Sequence, residues 1–116
     1  MMISIFGLKN CSTCVKAQQW LSTHGLSFTF YDVRQTALSA EQLQQWAEQL
    51  GWNRLLNKRS QTWRGLSDEQ KSLTDTQDLI KLVQSYPSLM KRPLLVYQQT
   101  ILLGFNEIEY TQLLKQ

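Results

Sequence analysis

The residues best suited to chemistry are the two cysteines of the segment Cys11-Ser-Thr-Cys14. A thiolate is the nucleophile of disulfide exchange, and a second thiol one helical turn away can attack a mixed disulfide formed on the first. The spacing therefore predicts a pair that cycles between dithiol and disulfide. The alternative for Cys14 is that it is simply a small buried core residue, as cysteine often is.

Metal binding is the other chemistry typical of a C-x-x-C segment, which can form half of a zinc site. The chain has no third cysteine and one histidine, His24, which falls at the far end of the same predicted helix. Because cysteine and histidine from one chain cannot complete a four-ligand cage here, no metal site is expected. His24 is instead expected to cap its helix, next to Gly25.

The elements around the cysteines explain why one of them is expected to be reactive. Residues 2–7 are rich in β-branched and aromatic side chains and predict a buried strand. A helical pattern with Val15, Ala17, Trp20 and Leu21 on one stripe begins at Thr13. A helix N-terminus carries about half a positive charge, which favours a thiolate. With Lys9 and Lys16 nearby, Cys11 is expected to be the more acidic and more exposed thiol.

The remaining pattern predicts an α/β fold in the order β-α-β, helical insertion, β-β-α. A second strand is predicted at 27–33, and an antiparallel hairpin is predicted from strands 94–97 and 101–103. Between them, capping boxes are predicted at Ser39 and Ser67, and Thr74 is expected to begin a further helix. Asn106 is expected to cap a final helix with Leu113 and Leu114 facing inward. Residues 1–116 are predicted to be a single domain, with the helical insertion at about 37–90 packed on the sheet.

Composition excludes few functions. The 116 residues include 12 basic and 9 acidic side chains, a net charge of +3 that is too small to predict nucleic-acid binding. No run approaches the roughly 18 apolar residues of a membrane span, and the first residues lack the features of a signal peptide. A cytoplasmic protein that contacts no membrane is therefore expected.

One segment is biased in charge. Between Glu48 and Asp68 there is no acidic residue, and four basic residues alternate with two tryptophans: Trp52, Arg54, Lys58, Arg59, Trp63 and Arg64. Such a segment is either a solvated face, a site for phosphates and stacked bases, or a site for the carboxylates of a small molecule.

The chain resembles the ArsC-like branch of the thioredoxin superfamily, in particular its YffB subgroup, over nearly its whole length. The matching stretches are Gly7-Leu-Lys-Asn-Cys11, Lys16-Ala17, Gly51-Trp-Asn-Arg-Leu-Leu-Asn57, Thr62-Trp-Arg64, Lys91-Arg-Pro-Leu94 and Leu102-Leu-Gly-Phe105. The resemblance implies a thioredoxin-like fold with a mixed four-stranded sheet, Cys11 as the redox cysteine and a cis peptide bond before Pro93. It also implies a glutathione-dependent thiol reductase with no bound cofactor, whose partners are glutathione and a disulfide or oxidised small molecule.

On this resemblance Cys11 is catalytic, and glutathione or Cys14 resolves the mixed disulfide. The residues implied to bind glutathione or another anion, or to shape its site, are Lys9, Asn10, Arg59, Arg64, Arg92 and Pro93.

Two relatives imply alternative functions. Arsenate reductases of this branch hold their oxyanion with three arginines, of which only Arg92 is present here, because Asn57 and Gly104 occupy the other two positions. Efficient arsenate reduction is therefore not expected. The C-x-x-C segment and the stretch Gly104-Phe-Asn-Glu107 resemble the Spx regulators, which implies a redox-sensing adaptor that binds RNA polymerase rather than DNA directly.

Overall fold

The computed structural model describes residues 2–115 and builds one sheet from both ends of the chain. The strands are β1 (Ile3–Gly7), β2 (Thr29–Asp32), β3 (Leu94–Tyr97) and β4 (Thr100–Leu103). They lie in the order β2-β1-β3-β4, with β1 parallel to β2 and antiparallel to β3, and β3 antiparallel to β4. The predicted mixed four-stranded sheet is therefore confirmed, as is the parallel β-α-β unit.

Seven α-helices lie within the described residues. They are α1 (Ser12–Thr23), α2 (Ala40–Leu50), α3 (Trp52–Leu55), α4 (Gln61–Arg64), α5 (Asp68–Lys71), α6 (Thr76–Ser85) and α7 (Glu107–Leu114), and a 3₁₀ turn covers Pro87–Leu89. None of the helices in residues 2–115 combines the length and the apolar character needed to cross a membrane.

The chain divides into two compact units. The first contains residues 2–35 and 92–115, and with them the whole sheet, α1 and α7; the second is Thr36–Lys91. The second unit corresponds closely to the predicted helical insertion at about 37–90. That residues 1–116 form a single domain with the insertion packed on the sheet stays a prediction.

The core of the first unit lies between α1, the central strands and α7. Its buried side chains are Ile3, Ile5, Ala17, Trp20, Leu21, Leu95 and Tyr110. The prediction that Val15 belongs to the apolar stripe of α1 is wrong, since Val15 is 37% exposed and Cys14 takes the buried position instead. A helix has about 3.6 residues per turn, so Cys14, Ala17 and Leu21 share one face and Val15 points away from it.

Side chains cap the helices largely as predicted. The Nδ1–H of His24 donates to the Trp20 carbonyl oxygen over 2.8 Å and the two rings stack, so His24 caps α1. The capping boxes at Ser39 and Ser67 are both present. Helix α6 begins one residue later than expected, because Asp75, and not Thr74, accepts from the N–H groups of its first turn.

The last helix is capped as expected, and Tyr110 joins the two leucines that were expected to face inward. The Asn106 side chain accepts from the Glu109 N–H over 3.1 Å. Leu113 and Leu114 are half-buried against the core, whereas Tyr110, which the sequence did not single out, is fully buried. Its ring meets Trp20 and Phe105 edge to face, and such aromatic pairs add to the stability gained by burial.

Candidate functional site: a thiol pair at the start of the first helix

Cys11 occupies the N-cap of α1, in the loop that follows β1. Its backbone is extended, its N–H donates to the Leu8 carbonyl oxygen over 3.2 Å, and its carbonyl oxygen accepts from the Val15 N–H over 3.0 Å. The thiol makes no capping hydrogen bond of the usual kind, which Ser or Asp would make at this position. The free N–H groups of the first turn are therefore left to interact with a thiolate.

The pKa of Cys11 is lowered from that of an ordinary thiol. Partial burial is the largest influence and acts in the opposite direction, since it disfavours the charged thiolate. It is outweighed by the donors that face the sulfur, which are, in order of their effect on the pKa, the Cys14 N–H, the Cys14 thiol, the Thr13 N–H and the Arg92 side chain. The predicted acidity of Cys11 is confirmed, and most of its causes are donors of the first helical turn.

Cys14 is chemically different although it lies only one turn further along α1. Its side chain is fully buried, and this burial raises its pKa to about 11, with the neighbouring Cys11 adding to the effect. A thiol with this pKa stays protonated near neutral pH and can donate its S–H to the Cys11 sulfur. The prediction that Cys11 is the more exposed and more acidic of the two is confirmed.

The segment before β3 brings a cation and a proline to the same site. The Arg92–Pro93 peptide bond is cis, as the resemblance implied, and Pro93 is fully buried. The Pro93 carbonyl oxygen accepts from the Gly104 N–H over 2.8 Å, and the Tyr110 hydroxyl donates to the Gly104 carbonyl oxygen over 3.4 Å. Helix α7 and the end of β4 thus support the loop from which the Arg92 side chain reaches Cys11.

Gly7 is a site residue that the sequence did not identify. It is the last residue of β1, and a Cβ atom built there would lie 2.5 Å from the Cys14 sulfur. This separation is far below ordinary van der Waals contact, so only glycine lets the strand pass this close to the buried thiol. A glycine at a strand end next to a C-x-x-C segment was the available signal, since glycine in a strand often marks a close approach.

Lys9 and Asn10 lie in the loop between β1 and Cys11, and both are exposed. The Lys9 N–H donates to a carboxylate oxygen of Asp32 over 3.1 Å. The pKa of Asp32 is lowered, first by a hydrogen bond from the Arg34 N–H and then by Lys9. The loop is therefore tied to the end of β2, and a role of Lys9 and Asn10 in binding glutathione stays a prediction.

Arg59 and Arg64 belong to the second unit, whereas the two cysteines belong to the first. Both side chains are exposed, the Arg59 N–H donates to the Asn57 side-chain oxygen over 3.1 Å, and Arg64 ends α4. Their predicted part in binding an anion at the thiol site stays a prediction.

The fold and the site together define a thioredoxin-like protein: a mixed four-stranded sheet, a cysteine pair at the start of the first helix and a cis-proline before the third strand. Comparison with known proteins identifies the group within this class. The ArsC family matches residues 6–113, and the chain belongs to that family.

Individual relatives agree with this assignment. An uncharacterized protein of Haemophilus influenzae is 39% identical over 94% of this chain and 96% of its own length. The global transcriptional regulator Spx of Streptococcus pneumoniae is 29% identical over 93% of this chain and 82% of its own. Among solved structures, a YffB protein is 33% identical with a TM-score of 0.89 over 95% of this chain and 96% of its own.

An arsenate reductase from Vibrio cholerae also has this fold, with 19% identity and a TM-score of 0.78 over 99% of this chain and 97% of its own. The chain thus shares its fold with an arsenate reductase and is similar in sequence to an Spx regulator, in keeping with the resemblance found in the sequence.

Proposed function

We propose that the protein is a glutathione-dependent thiol–disulfide reductase with Cys11 as its nucleophile. The observation that supports this most is the contrast between the two thiols: the pKa of Cys11 is lowered at the start of α1, while that of Cys14 is raised to about 11. A partly exposed thiolate beside a protonated thiol and a guanidinium is suited to attack one sulfur of a disulfide.

The proposed reaction has two exchange steps. In the first, the Cys11 thiolate attacks the glutathione sulfur of a mixed disulfide; a new S–S bond joins Cys11 to glutathione, the original S–S bond breaks, and the substrate leaves as a thiolate that takes up a proton. In the second, the thiolate of another glutathione attacks the glutathione sulfur on Cys11. Glutathione disulfide is released, the Cys11 thiolate is restored, and the two electrons come from glutathione.

Cys14 is proposed to stabilise the Cys11 thiolate and to resolve the mixed disulfide more slowly than glutathione does. Its burial and its pKa of about 11 leave very little thiolate at neutral pH. No bound cofactor is required by this scheme, and a reducing cytoplasm would keep both residues as thiols between turnovers.

Glutathione carries carboxylates, and Arg92 is the proposed cation for one of them. Lys9 and Asn10 are proposed to line the approach, Pro93 to shape the loop that carries Arg92, and Arg59 and Arg64 are further candidates for binding. Planar guanidinium groups bind carboxylates through two parallel hydrogen bonds, which suits Arg92 to this task. Arsenate carries more charge, and the arginines that would complete its clamp are replaced by Asn57 and Gly104. Arsenate is therefore proposed to be a poor substrate.

A coupled assay tests the proposal, with glutathione and glutathione reductase recycling the protein and a mixed disulfide and arsenate supplied in parallel. Wild type is expected to turn over the mixed disulfide, Cys11→Ser to lose at least about a thousandfold in rate, and Cys14→Ser to lose less than about tenfold. Undiminished turnover by Cys11→Ser would remove Cys11 from the reaction. Faster turnover of arsenate than of the disulfide would overturn the proposed substrate class.

The second candidate function is a redox-sensing transcriptional regulator that binds RNA polymerase. The C-x-x-C segment and the similarity to Spx favour it. Oxidation of Cys11 and Cys14 to a disulfide would then change affinity for the polymerase instead of being a step of turnover. A pull-down with RNA polymerase in the dithiol and disulfide states tests it: binding in one state, with no turnover of any disulfide, would favour the regulator.

A further inference from the structure

The second unit contains a cavity of about 370 Å³ that the proposed reductase chemistry does not use. It opens between α3, α4 and the loop that leads into α6, and its lining includes Trp52, Asn53, Lys58, Trp63 and Lys71. Cavities of about 300–1,000 Å³ are the size range in which proteins bind small molecules.

Two indole rings add aromatic surface to the cavity, which Leu56, Leu73 and Leu79 also line. Trp52 and Trp63 are both only half-buried, unlike the core residues Trp20 and Trp46. The Trp52 ring is held in place by its Nε1–H, which donates to the Thr76 hydroxyl over 3.4 Å. Half-buried indoles in a concave surface offer a flat face on which an aromatic ring can stack.

Two lysines give the cavity its charge. The Lys58 ammonium lies 5.4 Å from the centre of the Trp63 ring and donates to the Asn53 side-chain oxygen over 3.3 Å. Lys71 lines the cavity from the end of α5. Among residues 2–115, none that lines this cavity carries a carboxylate, so its charged groups are all positive and favour an anion.

From these observations we propose that the cavity is a binding site for a small planar aromatic anion, such as an aromatic carboxylate. The ring would stack on the indoles, and the anionic group would accept hydrogen bonds from Lys58 and Lys71. The site lies wholly within Thr36–Lys91 and involves neither cysteine, so it is independent of the proposed reductase activity. Of the four basic residues that the sequence singled out here, only Lys58 lines it; Arg54, Arg59 and Arg64 do not.

The test is an NMR titration of the full, reduced chain with naphthalene-2-carboxylate and with its neutral counterpart naphthalene-2-carboxamide. The indole N–H resonances, assigned by single Trp→Phe variants, report which tryptophans respond. The carboxylate is expected to shift the signals of Trp52 and Trp63 but not those of Trp20 and Trp46, and to bind about tenfold more tightly than the carboxamide.

Lysine variants separate the site from general surface binding. Lys58→Gln and Lys71→Gln are each expected to weaken the carboxylate about fivefold while leaving the carboxamide unchanged. Lys81→Gln is the matched control, since Lys81 is an exposed lysine of the same unit that does not line the cavity, and it is expected to change neither. Equal affinity for the two compounds, equal weakening by all three variants, or no response of Trp52 and Trp63 would overturn the proposal.

Discussion

Cys11 and Cys14 stand one turn apart on the same helix, yet the N-cap and the buried first turn give them opposite properties. At the N-cap, the donors of the first turn and Arg92 outweigh partial burial and lower the pKa of Cys11. One turn further, the Cys14 sulfur is enclosed by β1 and the core, and burial raises its pKa to about 11. A helix N-terminus stabilises a thiolate where the donors that face the sulfur outweigh the loss of solvent around it.

The largest expected effect is a loss of stability when the space between Gly7 and the Cys14 sulfur is filled. Gly7→Ala places a Cβ 2.5 Å from the Cys14 sulfur, and overpacking of this kind costs about 1–3 kcal/mol of the free energy of unfolding. Urea unfolding measures the change. Gly65→Ala is the matched control, because its Cβ would meet nothing closer than 3.6 Å and its φ is negative. Equal losses in the two variants would show that Gly7 has no special contact.

A smaller effect is expected from removing the cation beside Cys11. Arg92→Met removes the guanidinium that favours the Cys11 thiolate, so the pKa of Cys11 is expected to rise and the turnover of the mixed disulfide to fall about tenfold at neutral pH. Turnover is measured across pH in the coupled assay. Arg34→Met, at an exposed arginine of the same unit, should leave both unchanged. A tenfold fall without any movement of the pH profile would place Arg92 in substrate binding alone.

The smallest expected effect is on the pH dependence of stability, where the two thiols act with opposite signs. The raised pKa of Cys14 stabilises the fold below the pKa of an unfolded thiol, and this contribution is lost as pH rises toward 11. The lowered pKa of Cys11 contributes above the unfolded pKa and is lost as pH falls through its folded value.

Urea unfolding of Cys14→Ser and Cys11→Ser between pH 6 and about 10 checks these signs. The slope of the free energy of unfolding against pH is expected to stay below about 1.4 kcal/mol per pH unit, the value for one proton. Cys11→Ser should remove a gain in stability that is completed as pH rises to the pKa of an unfolded thiol, and Cys14→Ser should flatten the loss of stability above that pKa. Identical slopes in the two variants would mean that the thiols do not differ in the folded state.

Local signals in the sequence predicted most of the fold. The capping boxes at Ser39 and Ser67, the Asn106 cap and the strand patterns all reflect interactions within a few residues, and these are confirmed. The burial of Val15 was predicted wrongly because the apolar face of α1 could include either Val15 or Cys14. Only packing against the sheet decides which of the two is buried.

The site was predicted where chemistry follows from residue type and missed where it depends on contacts between different secondary-structure elements. Cys11 and Cys14 were evident, and their different acidity followed from the position of a helix start. The close approach of Gly7 to Cys14 joins β1 to α1, and the hydrogen bond from Tyr110 to Gly104 joins α7 to the residue after β4. The periodicity within one element cannot show such contacts between elements. The anion-binding roles of Lys9, Asn10, Arg59 and Arg64 stay predictions.

The most direct test of the account is the pH dependence of alkylation at each thiol of the reduced wild-type chain. The protein is treated briefly with iodoacetamide from pH 5 to about 11, and fragmentation mass spectrometry measures modification of Cys11 and Cys14 separately. We expect Cys11 to react first, with a midpoint below that of an ordinary thiol at about 8.5, and Cys14 to stay largely unmodified until pH approaches 11. Coincident titration of the two cysteines, or a Cys11 midpoint at or above the ordinary value, would contradict this expectation.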